Sequence, residues 1–96
     1  MITHIVMFKA KKDTTKEDLE KIKKALEELP NFIKEIKHME AGINFTQSDR
    51  ALDLALISRF NSKEDLATYA THPKHLEVIE MIKELCEYTR VVDYES

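Results

Sequence analysis

The chain has 96 residues, 43% hydrophobic and 34% charged, with a net charge of −3 and a pI near 5.8, which bounds it to one small globular domain, residues 1–96. Acids and bases are interspersed, so no basic stripe follows a nucleic-acid backbone, and no run approaches the ~20 apolar residues of a membrane span. A single glycine argues against a glycine-cradled phosphate site, while the lone Cys86 rules out an internal disulfide, makes a thiolate metal set implausible and fits a reducing cytoplasm.

The opening run Ile2 to Lys9 reads as a strand with apolar residues on both faces. Ile2, His4, Val6 and Phe8 point one way, and Thr3, Ile5 and Met7 the other. It carries no cleavage-site pattern and is not read as a signal peptide. Lys11-Lys12-Asp13 is a solvated loop. A helix is expected from Thr14, with Glu17 completing a T-x-x-E capping box. Leu19, Ile22, Leu26, Leu29 and Ile33 fall on one helical face, and Glu17–Lys21 and Glu20–Lys24 stand as i,i+4 pairs outside. Pro30 interrupts or ends this helix.

Ile36 to Phe45 is a second strand, in which Gly42 suggests a bulge or bend. Thr46 to Arg50 is a polar turn. Leu52, Leu54, Leu56, Ser58 and Phe60 then alternate with Asp53, Ala55, Ile57 and Arg59 as a third strand. Ser62 with Asp65 caps a short helix through Ala70. Pro73 suits the first position of the next helix, whose apolar face runs Val78, Ile79, Ile82, Leu85 and Cys86. Thr89 to Tyr94 closes the series as a fourth strand.

The order β-α-β-β-α-α-β is an α+β, ferredoxin-like plan: one four-stranded antiparallel sheet with helices on one face. A chain this short buries only somewhat over ~60% of its unfolded surface. One helical layer covers one sheet face, yet the first strand is apolar on both. The open face is therefore expected to meet a second copy of the chain in a homodimer.

The densest cluster of chemistry is Tyr69-Ala-Thr-His72-Pro73-Lys-His75, where one helix stops and another starts. Proline fixes its own φ and moves the preceding residue out of the helical region, so the two histidines stand at different, defined angles. Histidine is the side chain whose ordinary pKa lies nearest neutrality. The proline spoils same-face spacing for a His72–His75 metal pair, and no carboxylate adjoins them, so no metal site is expected.

Together with His4-Ile-Val-Met-Phe-Lys9, the Gly42 strand, Asp53-Leu-Ala-Leu followed by Phe60, and Val91-Val-Asp93-Tyr94, this motif resembles the stress-responsive dimeric α/β barrel (Dabb) domain over nearly the whole chain. The resemblance implies a homodimeric barrel of two sheets with helices outside. Many members have no assigned role, some plant members are stress-linked, and a plant polyketide cyclase uses this fold. It also implies, from that cyclase, that Tyr69 and His75 carry chemistry and that His4 and Asp93 line a pocket. Where the cyclase has a further histidine on the third strand, this chain has Leu54.

A carbon-acid reaction needs a base near pKa 7, a group that holds it and a donor for the developing oxyanion. His75 as base, Asp93 as its orienting partner and Tyr69 as donor would meet that need without a cofactor, and a helix N-terminus beside His75 would favour its neutral form. The plainer alternatives are a core tyrosine, a His72–Pro73 joint whose imidazole caps backbone groups, and a hydrogen-bonded core His4. Three functions stay open: a small-molecule-binding cytoplasmic protein of unassigned role, a cofactor-independent cyclase or lyase, and a purely structural, stress-protective oligomer. A monooxygenase of the antibiotic-biosynthesis type shares the barrel, but the His-Pro motif points away from it.

Overall fold

The structure, a computed structural model, describes residues 1–96. Its elements are β1 (Ile2–Ala10), α1 (Lys16–Glu28), a 3-10 turn (Leu29–Asn31), β2 (His38–Ile43), β3 (Leu54–Phe60), α2 (Lys63–Thr71), α3 (Pro73–Leu85) and β4 (Cys86–Glu95). All pairings are antiparallel and the sheet order is β2-β3-β1-β4, the ferredoxin-like arrangement. No helix is long and apolar enough to cross a membrane.

Register sorts the side chains. His4 pairs with Ser58 and Asp93, Val6 with Leu56 and Val91, and Phe8 with Leu54 and Thr89. Alternation puts this set on one face, under the helices. Ile5, Val92 and Ile57, paired in a row, lie on the other. The core forms where the α1 stripe, Ile22 and Leu26, meets Leu54, Leu56 and Phe60 of β3, all almost fully buried.

Several local expectations shift. The capping box starts one residue later: the Thr15 hydroxyl accepts from the Asp18 backbone N–H at 3.1 Å, and the Asp18 carboxylate accepts from the Thr15 N–H at 3.1 Å. Thr14 is unavailable for that role because its hydroxyl donates to the Leu85 carbonyl at 2.6 Å, tying the first loop to the end of α3. The i,i+4 ion pair that forms on α1 is Lys23–Glu27 at 2.8 Å. Glu27 also accepts from the Ala41 N–H at 3.2 Å, joining the helix to β2.

Gly42 makes no bulge. It pairs with Ala55 in unbroken register, its φ is not positive, and a Cβ there would meet nothing within 4 Å. The register shift lies at Lys9/Ala10, where the Asp53 carboxylate accepts from the Ala10 N–H at 2.7 Å. Cys86 is the first residue of β4 rather than the end of α3's stripe, so helix passes into strand without a loop.

Candidate active-site cleft between α3 and β4

The His-Pro joint folds as its residue types dictate. His72 ends α2 and begins α3 with extended backbone (φ −64°, ψ 135°), and Pro73 occupies the first helical turn. The His72 Nδ1 accepts from the Lys74 N–H at 3.1 Å, satisfying an N-terminal donor. His72 thus serves the joint and is not in the wall of the cleft that the motif borders.

That cleft, about 490 Å³, lies between α3 and β4, which meet at the Leu85–Cys86 corner. His4, Tyr69 and His75 stand in its wall with a mainly apolar remainder that includes Val6, Leu26, Leu56, Ile79 and Val91. Leu54 lies outside it; Leu56, two residues on, takes the β3 position in the wall. Asp93 is also outside the wall, and reaches the cleft through His4.

Asp93 pairs with His4, contrary to its expected partnership with His75. Its Oδ1 is in close hydrogen-bond contact with His4 Nδ1, because the two residues are opposite one another in the β1–β4 ladder. A carboxylate only accepts, so His4 Nδ1 carries the hydrogen, which in the neutral imidazole leaves Nε2 as the bare nitrogen. His75 is held differently. Its Nδ1 lies 3.0 Å from the Ala70 carbonyl, which also only accepts, so His75 too presents a bare Nε2.

Tyr69 neighbours both. Its ring is 4.1 Å from His75 at an interplanar angle of 32°, 6.1 Å from His4 edge-on, and 5.1 Å from Phe60. The residue is 1% exposed, and its hydroxyl is the one buried side-chain polar atom with no hydrogen-bond partner. Burial pushes that hydroxyl's pKa well up, so it stays protonated and able to donate. His75 is pushed down from the ordinary 6.5, first by burial, then by the nearby His4 and His72, with the Ala70 hydrogen bond opposing. The neutral form is favoured as expected, but through desolvation. At the corner, burial and then Asp53 raise the Cys86 thiol, which keeps it protonated.

The sequence reading missed two residues here. Phe60 backs the Tyr69 ring, and Lys83 stands in the cleft wall. Lys83 was findable: it lies four residues after Ile79 and eight after His75, on the helical face those positions define.

A ferredoxin-like domain with helices on one face and a histidine–tyrosine cleft under them is the class these features define. The chain belongs to the stress responsive A/B barrel domain family, whose description matches residues 2–96. It is 33% identical over 96 residues to a stress-response A/B barrel domain-containing protein of Arabidopsis thaliana, covering 98% of this chain and 36% of that protein. The chain thus spans about a third of that relative's length. A dimeric protein of unknown function with a ferredoxin-like fold from Bacteroides fragilis is 34% identical, with a TM-score of 0.87 over 99% of this chain and 95% of the other. A hydroxynitrile lyase from Passiflora edulis is 26% identical, with a TM-score of 0.84 over 97% of this chain and 90% of the other.

Proposed function

We propose that the protein binds a small, mainly apolar molecule through one carbonyl or hydroxyl oxygen, held in the α3–β4 cleft at its histidine–tyrosine end. The observation that carries this reading is the unpartnered, buried hydroxyl of Tyr69, a residue that shares the wall of a roomy, mainly apolar cleft with His4 and His75. An orphaned buried donor is costly, and a ligand oxygen would satisfy it. The volume is within the range of small-molecule sites. Each copy carries its own cleft, and two copies form a homodimer whose sheets meet by their open faces, a reading supported by the exposed Met7, Val92 and Tyr94 there and by dimeric relatives. Its setting is a reducing cytoplasm, in keeping with the single buried thiol. Titration with a neutral methyl ketone, 2-nonanone, tests the binding reading: His4, Tyr69 and His75 resonances should shift in wild type, and His75→Ala should weaken the effect. Shifts confined to the open sheet face would sink it.

A second reading, cofactor-independent lyase or cyclase chemistry on a carbonyl compound, is favoured by the His4–Asp93 pair and by the likeness to a hydroxynitrile lyase. Here His4 Nε2 is the base, in place of the His75 expected from the motif, because Asp93 stabilises the imidazolium that forms. Tyr69 donates to the oxygen that gains charge, and desolvated His75 stays neutral beside it. Cleavage of the cyanohydrin mandelonitrile checks this: His4 takes the hydroxyl proton, the C–CN bond breaks to give benzaldehyde, and the cyanide leaves with that proton as hydrogen cyanide. His4→Ala should lower the rate by about 100-fold or more, the span of a lost general base; an unchanged rate would remove His4 from the chemistry.

A further inference from the structure

The cleft is not symmetric along its length. Its α3 wall begins at His75 and runs through Ile79 and Ile82 to Lys83, in the last turn of the helix. Eight residues separate His75 from Lys83, a rise of about 12 Å at 1.5 Å per residue. Between them the facing wall is apolar: Val6, Leu56 and Val91. Lys83 is the only lysine or arginine in the wall, and no carboxylate lies within 4 Å of its ammonium group. The one other charged residue of the wall, Glu87, stands at the same end without bridging to it.

We propose that Lys83 is a specificity residue that selects, for this cleft, a ligand with a carboxylate at the end remote from its carbonyl: a medium-chain keto acid. The inference rests on the small-molecule reading above and adds the ligand's second polar end. The carbonyl meets Tyr69, the methylene chain lies along Ile79 and Ile82, and the carboxylate reaches the Lys83 ammonium. Glu87 opposes the anion, so the preference depends on the balance of the two. A partly solvated charge pair of this kind supports a preference of about fivefold.

The probes are 9-oxodecanoate and its methyl ester, which share ketone and chain and differ at the far end by the charge and one methyl group. Their dissociation constants are measured by calorimetry on wild type, Lys83→Gln and Glu87→Gln, with His75 and Tyr69 resonances reporting the carbonyl end. Wild type should bind the acid about fivefold more tightly than the ester. Lys83→Gln should weaken the acid by more than it changes the ester, so that the acid's advantage is lost or reversed with Glu87 still in place, and Glu87→Gln should enlarge the advantage. Equal binding of both compounds, with no response to Lys83→Gln, would overturn the role of Lys83 and leave the cleft reading standing. Failure of both compounds to bind wild type or to move His75 and Tyr69 would overturn the cleft reading itself.

Discussion

The two faces of the one sheet have opposite fates, and neighbouring valines make the contrast plain. Val91 and Val92 are each 56% exposed, yet the pleat sends Val91 into the cleft under α3 and Val92 out onto the uncovered face. Under the helices, apolar side chains close into a core beneath α1 and stop short of closing beside β4, which leaves a cleft. On the open face they have no cover at all. Under the proposed function, equal exposure therefore has different meanings: a ligand wall on one side, and an interface with another copy on the other.

The largest expected effect comes from putting a charge at each valine in turn. Val92→Asp would bury two carboxylates at the proposed dimer seam, each costing several kcal/mol when unpaired. Light scattering should find a folded monomer at micromolar concentration while 2-nonanone still binds. Val91→Asp should do the reverse, keeping the dimer and losing the ketone. If both variants lose both properties, the two faces are not independent.

Phe60→Ala comes next. It removes a fully buried ring that backs Tyr69, at about 3–5 kcal/mol of stability. Denaturant unfolding measures the loss; a cost under about 1 kcal/mol would mean the site end of the core is loosely packed.

The pH response is a smaller effect with a definite sign. Burial lowers the folded His75 pKa below the ordinary 6.5, so the folded state holds fewer protons than the unfolded one near that pH. His75 therefore disfavours folding as pH falls through 6.5 toward its folded value. His75→Gln should flatten the stability loss between pH 7 and pH 5 relative to wild type; parallel curves would place His75 in solvent.

Tyr69→Phe has the smallest effect on stability, within about 1 kcal/mol of wild type, because the hydroxyl it removes has no partner to lose. Ketone affinity should nevertheless fall. A large destabilisation with unchanged affinity would make the hydroxyl structural.

Period and punctuation made the fold legible. Leu19, Ile22 and Leu26 gave the helix, the Leu54–Phe60 alternation gave the inner strand, and Ser62 and Pro73 marked where α2 and α3 begin. The α1 cap was misplaced because Thr14 and Thr15 are equivalent locally, and only the distant Leu85 carbonyl separates them. Gly42 suggested a bulge, but glycine also fits a flat position on an uncovered face. The site was half legible: Tyr69, His75 and His4 do share a wall, yet the partner of Asp93 depended on strand register. Once β1 and β4 are aligned, His4 stands opposite Asp93. No local pattern in either strand encodes that pairing.

Long-range proton–nitrogen NMR of the four imidazoles at pH 8, before and after adding 2-nonanone, bears most directly on the cleft. His4 and His75 should both carry hydrogen on Nδ1 and bare Nε2, while His72, whose Nδ1 accepts from Lys74, takes the opposite tautomer. The ketone oxygen, which accepts from the Tyr69 hydroxyl and cannot bond a bare nitrogen, should then shift the two Nε2 signals by proximity alone and leave His72 and His38 unmoved. A bare Nδ1 on His4, or Nε2 signals indifferent to saturating ketone, would mean that the cleft is not organised to receive a ligand oxygen.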